Sequence, residues 1–339
     1  MARFLRLDVL NEIVRIGLIP LFYHHDIEVA KKVIAACVEG GVKVFEFTNR
    51  GDNAYYMFSE LTKYIEKEFP SLILGVGSVL DPGTAAIYIS SGANFVVGSV
   101  LNADVAKICN RRKIPYMPGC GTASEISYAE ELGSEVVKIF PGESVGGSGF
   151  VKSLLGPTPW SRLLITGGVK ATEESVKEWF NAGATAVGLG SDLVKKEWVQ
   201  VNNYKAISEL TTQVIQWINE AKGTNVFYGI EHIGLYPTKE HEAKDITEWY
   251  NKTFDFKITE GSSSIFMSST GTGRIEISKT ETNGYAHIAV LVTNFEKAME
   301  MLKLKGVELE KPNLKPETKS VYLKSTDPLG NRIHLLWRR

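Results

Sequence analysis

Cysteine is scarce in this chain: Cys37, Cys109 and Cys120 are the only three among 339 residues, and none forms a CxxC pair. An odd, dispersed set supports neither a disulfide framework nor a zinc ribbon. Net charge is also nearly absent. Thirty-eight basic side chains against thirty-nine acidic ones leave a formal charge of -1, which gives no electrostatic ground for nucleic acid or an anionic membrane as partner. Long apolar runs are missing as well, since no stretch approaches the ~20 residues of a membrane span. The first 22 residues begin like a signal peptide, but Asp8, Asn11, Glu12 and Arg15 interrupt any apolar core there. These absences together predict a soluble, cytoplasmic protein. An apolar content of 44% is enough for substantial cores. The length suits two domains, or one large barrel with an appendage.

Residues 1–200 repeat one rhythm, a short apolar run followed by a longer segment with helical spacing. The strand-like runs fall at 18–22, 42–47, 72–76, 94–97, 114–117, 136–140, 163–166 and 185–189. Most are β-branched or aromatic and end in Gly, Pro or Asn, as buried parallel strands do. Helix-like stretches lie between them, among them 27–39, 54–68 and 173–181. Eight strands alternating with helices over roughly 200 residues predict an α/β (β/α)8 TIM barrel. A doubly wound open sheet is the alternative, though it needs no eight evenly spaced strands. A last helix at 204–221 and the linker Lys222-Gly223-Thr224-Asn225 place a domain boundary there. The expected domains are 1–222 and 223–339.

The tail contains an internal repeat. Glu231-His232-Ile233 opens one half and Ala286-His287-Ile288 the other; a helical segment follows each, at 239–252 and 294–305. Both halves end on matched strands, Gly273-Arg274-Ile275-Glu276-Ile277 and Asn331-Arg332-Ile333-His334-Leu335. Modules this small should pair into one domain of the α+β type.

In a (β/α)8 barrel the site forms at the C-terminal strand ends, so charges inside strands are informative. Lys138 interrupts Val-Val-Lys-Ile-Phe-Pro, Glu46 interrupts Val-Phe-Glu-Phe-Thr, and Arg50 follows four residues later. A buried Lys–Glu pair holding strands together is the structural alternative, but such pairs add little over apolar replacements. A desolvated lysine keeps a neutral amine able to attack a ketone, and a nearby carboxylate can move the protons of carbon–carbon cleavage. The combination points to a class I aldolase. Thr166-Gly167-Gly168 ends the seventh strand and Gly188-Leu189-Gly190-Ser191 the eighth. Loops at these places often present backbone N–H groups to phosphate, although tight turns also need glycine. His24 and His25 follow the first strand and read as a solvated pair ahead of an Asp26 helix cap.

Across residues ~15–200 the chain resembles the KDPG / 4-hydroxy-2-oxoglutarate aldolases. The resemblance is carried by Glu46-x-Thr48-x-Arg50, Gly75-Val76-Gly77-Ser78, Pro118-Gly119, Lys138-Ile139-Phe140-Pro141 and Thr166-Gly167-Gly168. It implies that Lys138 is the Schiff-base lysine and Glu46 the general acid/base. It further implies that Arg50 and Ser78 hold the pyruvyl carboxylate, and that Thr166, Phe140 and Pro118 line the substrate. Gly167, Gly168, Gly190 and Ser191 would receive phosphate. A small keto-acid substrate, no cofactor for the aldolase step and a homotrimer are implied in the same way. The family usually has Thr at position 78, and often a Ser-Pro turn where this chain reads Gly98-Ser99.

Three of the six histidines, His232, His287 and His334, stand at repeat positions, with Glu276 as the fourth. Alternation lets all four face one concave surface, and such a set suits a divalent transition metal, Zn, Ni, Fe or Mn. A metal-free binding or assembly module is the alternative. Residues ~227–339 resemble the glyoxalase / vicinal-oxygen-chelate superfamily, also through the Asp327-Pro328-Leu329-Gly330-Asn331-Arg332 turn. That resemblance implies paired βαβββ modules with His232, Glu276, His287 and His334 as metal ligands. The family usually has Glu at the last of these positions. Two other functions therefore stand beside the aldolase: a metalloenzyme, isomerase or dioxygenase, centred on the tail, and a non-catalytic binding fusion.

Overall fold

The computed structural model describes residues 2–223, 226–237, 242–268, 273–279, 286–315, 317–328 and 330–338. Parts of three sequence features lie outside these residues: Thr224 and Asn225 of the linker, the start of the 239–252 segment, and Leu329 of the turn. The chain divides into two compact units, 1–223 and 224–339. Among the described residues no helix is long and apolar enough to cross a membrane.

The first unit carries β1 (Leu18–Phe22), β2 (Val44–Thr48), β3 (Ile73–Gly77), β4 (Val96–Val97), β5 (Tyr116–Met117), β6 (Gly119–Cys120), β7 (Val137–Ile139), β8 (Leu163–Thr166) and β9 (Ala186–Leu189). Their order is β5-β4-β3-β2-β1-β9-β8-β7-β6, and every pairing is parallel. The two ends of this sheet are one stretch of chain, since only Pro118 separates β5 from β6. Proline has no N–H for the ladder, so the fifth strand is split there: its first part pairs with β4 and its second with β7. The sheet therefore closes on itself, as an eight-strand barrel with one interrupted strand. The expected strands are all present, several with their starts moved by one or two residues; Gly119–Cys120 extends the fifth beyond its expected end.

Strand alternation divides the apolar residues between two cores. Phe45, Phe47, Val137, Ile139, Leu163 and Ile165 join the layer between sheet and helices. Val44, Ile73, Phe95, Val97, Met117, Val136, Leu164 and Ala186 point inward and form a separate cluster. Val9, Leu10, Ile13 and Ile16 belong to that inner cluster too. They come from the helix Arg6–Ile16, whose apolar residues recur at helical spacing. Many of its partners lie at or near strand starts, so this helix closes the N-terminal end of the barrel. Within the segment that begins like a signal peptide, the helix Arg6–Ile16 is thus the barrel floor and Leu18–Phe22 the first wall strand.

The second unit contains β10 (Phe227–Leu235), β11 (Lys257–Glu260), β12 (Ser264–Ser268), β13 (Arg274–Ser278), β14 (His287–Val292), β15 (Asn313–Leu314), β16 (Thr318–Thr326) and β17 (Arg332–Arg338). The order β11-β12-β13-β10-β14-β17-β16-β15 is mixed. Helices Ala243–Phe254 and Phe295–Leu304 follow β10 and β14, so each half runs strand, helix, three strands. The halves join through antiparallel β10 and β14. In the second half Phe295, Ala298, Val321 and Leu335 form a core beneath the helix.

Candidate active site and a second polar centre

In the barrel, Glu46, Lys138 and Thr166 occupy inward positions two residues beyond Val44, Val136 and Leu164, and so stand directly above the inner apolar cluster. Glu46 is 3% exposed and Lys138 5%. Burial lowers the Lys138 ammonium below the ordinary lysine range, with Glu46 opposing and Arg50 assisting. Burial likewise raises the Glu46 carboxyl, against the pull of Lys138 and Arg50. The charges act on one another without a direct ion pair between Glu46 and Lys138. The Lys138 Nζ lies 4.6 Å from the centre of the Phe140 ring, within reach of a cation–π contact.

Glycines make the room. A Cβ at Gly77 would stand 1.7 Å from Glu46 Oε1, and one at Gly188 would stand 2.6 Å from Thr166 Oγ1. Bare backbone at these two positions makes room for the Glu46 carboxylate and the Thr166 hydroxyl. Arg50 stands on the exposed turn after β2. Ser78 follows β3 with φ at +61°, a left-handed conformation that a β-branched threonine adopts less readily than serine. Pro118 lies at the strand break level with this layer, next to Gly119, which pairs with Lys138.

Gly167 and Gly168 have φ of +85° and +91°. The turn they form is tied to the one after β7: Gly142 N–H donates to the Thr166 carbonyl at 2.9 Å and Glu143 N–H to that of Gly167 at 3.0 Å. A Cβ at Gly168 would meet Glu143 Cβ at 2.2 Å, so glycine is required there on two grounds. After β9, the Gly190 carbonyl accepts from Leu193 and Val194 N–H, folding Ser191 into a tight, exposed turn. His24 and His25 stack at 4.5 Å and precede Asp26, whose carboxylate accepts from Glu28 N–H at 2.8 Å.

A comparison with protein families matches residues 9–210 to the model described as KDPG and KHG aldolase. The chain belongs to that family. Among curated relatives, the 2-dehydro-3-deoxy-phosphogluconate aldolase of Haemophilus influenzae is 31% identical over 180 residues, covering 53% of this chain and 82% of its own. The KHG/KDPG aldolase of Escherichia coli K12 is 28% identical over 198 residues, 58% of this chain and 90% of its own. Among solved structures, a KDPG aldolase from Legionella pneumophila, with pyruvate captured as a covalent carbinolamine, aligns with a TM-score of 0.55 at 25% identity. It covers 60% of this chain and 96% of that one. Residues 211–339 lie beyond the family match.

In the second unit the topology brings His232, Glu276, His287 and His334 together. Gly234 of β10 is level with both Glu276 and His287, and Ala289 of β14 with both His232 and His334. The ligand atoms of the three histidines lie within 4.8 Å of one another. Nε2 of His232 is 3.0 Å from Nε2 of His287 and 2.8 Å from Glu276 Oε2, which is 3.4 Å from His287 Nε2. Donor atoms about 2.0–2.2 Å from one ion stand roughly 3.0–3.5 Å apart, so this spacing fits a shared cation. Both nitrogens of His334 are buried without a hydrogen-bond partner among the described residues. Burial, helped by His232 and His287, lowers the His334 imidazole to about 3, which keeps it neutral and able to ligate. Burial would raise the Glu276 carboxyl, but hydrogen bonds from His232, His287 and Ser264 outweigh it and hold the group ionised.

Several residues of this centre escape sequence reasoning. Glu231 meets Nδ1 of His232 and also pairs with Arg274. Neighbours on a regular strand point to opposite faces, but a bulge between Ile230 and His232 breaks the register and puts both on one side. The Tyr236 hydroxyl lies 3.0 Å from His287 Nδ1, and Tyr322 stacks on His334 at 4.7 Å.

Proposed function

We propose that the barrel cleaves 2-keto-3-deoxy-6-phosphogluconate, and 4-hydroxy-2-oxoglutarate as a second substrate, to pyruvate and an aldehyde through a Schiff base on Lys138. The observation that carries this reading is a buried lysine with a depressed pKa in the same interior layer as a buried carboxylate. Arg50 and Ser78 hold the substrate carboxylate, while Phe140, Thr166 and Pro118 line its chain. The neutral Lys138 amine attacks the C2 ketone, and loss of water from the carbinolamine gives the Schiff base. Glu46 takes the proton of the C4 hydroxyl, the C3–C4 bond breaks, and its electrons pass into the enamine. Protonation at C3 and hydrolysis then release pyruvate and restore the lysine. Burial suits Glu46 to this exchange, since raising its pKa makes the carboxylate a better proton acceptor. Gly167, Gly168, Gly190 and Ser191 offer backbone N–H groups to the phosphate at the far end of the substrate. The same reading extends to a homotrimer. Purified protein should release pyruvate from the phosphorylated substrate with a higher kcat/KM than from 4-hydroxy-2-oxoglutarate, because remote binding energy assists the chemical step. Equal values would reduce the glycine turns to a structural role.

A second site accompanies the first. The tail is similar to the glyoxalase / vicinal-oxygen-chelate superfamily, and its paired strand–helix–three-strand halves support that assignment. His232, Glu276, His287 and His334 would hold one divalent ion of the Zn, Ni, Fe or Mn type. Glu231 and Tyr236 would orient His232 and His287 through their outer nitrogens. When bound, the ion would act as a Lewis acid toward an oxygen ligand.

A further inference from the structure

Asn49 joins three parts of the barrel mouth. Its backbone N–H donates to the Gly77 carbonyl at 2.8 Å, tying the turn that carries Arg50 to the residue just before Ser78. Its side-chain Oδ1 accepts from the Tyr88 hydroxyl at 2.8 Å. Tyr88 belongs to the helix Pro82–Ser90, which begins four residues after Ser78. The phenol is 2% exposed and stands edge-on to Phe58, with ring centres 5.1 Å apart. Tyr88 is therefore an immobile anchor, and its hydroxyl is the one polar point it presents to the turn.

The other side of the turn is held as well. The Tyr23 hydroxyl occupies the space where a Cβ at Gly51 would stand, 1.9 Å from that position, and Tyr23 packs on Phe47 of β2 at 5.6 Å. Arg50 N–H closes tightly on the Thr48 carbonyl at 2.9 Å. Arg50 is thus a long side chain on a base held by the Gly77 carbonyl, the Tyr88 hydroxyl and Tyr23.

We propose that Asn49 and Tyr88 are positioning residues that set the separation of Arg50 and Ser78, and thereby the affinity of the site for the pyruvyl carboxylate. This inference rests on the aldolase reading above. A buried hydroxyl and an amide that satisfy each other hold one geometry; removing either partner leaves the other unpaired and frees the turn. The chemistry at Lys138 lies on another strand and does not depend on that hydrogen bond.

The experiment is borohydride trapping of the full chain over a range of pyruvate concentrations, in Tyr88→Phe, Asn49→Leu and the double variant. Each single variant should raise the half-saturating pyruvate concentration about five- to tenfold, with the trapping rate at saturation within twofold of the parent. The double variant should be no worse than the weaker single, because the two changes break one link. Unchanged half-saturation in both single variants would overturn the positioning role, whatever their melting temperatures. Multiplied effects in the double variant would also overturn it, since the residues would then act independently. No trapping in the unaltered chain would instead remove the aldolase reading, and this inference with it.

Discussion

Gly77→Ala probes the barrel site with a single methyl group. Gly77 is the last residue of β3 and its φ lies outside the left-handed region, so alanine meets no backbone strain. It meets Glu46 instead. The added Cβ would stand 1.7 Å from Glu46 Oε1, where ordinary contact begins at 3.4 Å. The carboxylate must retreat by roughly 1.5 Å or more to restore normal packing. A misplacement of about 1 Å at a reacting group can cost about 10²-fold, so kcat/KM for cleavage should fall about 10²- to 10³-fold, or roughly 3–4 kcal/mol of barrier. Overpacking should cost about 1–3 kcal/mol of stability, which a melting curve reads separately. Lactate dehydrogenase coupled to pyruvate release measures the cleavage rate. Gly149→Ala is the control, because a Cβ there meets nothing within 4 Å. A folded Gly77→Ala protein with cleavage within threefold of the parent would refute the placement of Glu46 in the reaction.

Two further outcomes follow from the electrostatics of the two centres. Burial lowers the Lys138 pKa while Glu46 works to raise it, so the trapping rate should rise with pH and level off below the ~10.4 of an exposed lysine; Glu46→Gln should move that limb to still lower pH, and a shift upward would contradict the assignment. Protein reconstituted with Zn, Ni, Fe or Mn should hold one equivalent of metal by elemental analysis, lost in His232→Ala and His287→Ala, and stripping it should leave pyruvate release intact. Sub-stoichiometric metal unchanged by those substitutions would make the tail a binding or assembly module.

The barrel strands were legible because each is an apolar run bounded by turn residues, and parallel burial leaves that mark in any barrel. Glu46 and Lys138 stood out for the same reason, as charges where burial forbids unpaired ones. The floor helix was legible in principle from Val9, Leu10, Ile13 and Ile16, but its apolar start invites a targeting-segment reading, and only three-dimensional closure shows what it covers. The split of the fifth strand was harder, because a proline in a short apolar run reads as an end rather than a pause. In the tail the repeat marked His232, Glu276, His287 and His334. Glu231 was hidden by its bulge, since strict alternation assigns it to the face opposite His232. Tyr236 was hidden because a hydroxyl that orients a ring nitrogen has no characteristic spacing. The role of Asn49, and the approach of Gly77 to Glu46, were hidden for a related cause: both depend on what lies across a strand pair.

The Schiff-base route requires Lys138 to become covalently bound to the substrate ketone. Incubation with pyruvate and borohydride, followed by peptide mass mapping, tests it directly. One adduct is expected, on the peptide carrying Lys138, absent from Lys138→Ala and retained in Glu46→Gln. An adduct on any other lysine, or none in the unaltered protein, would contradict it.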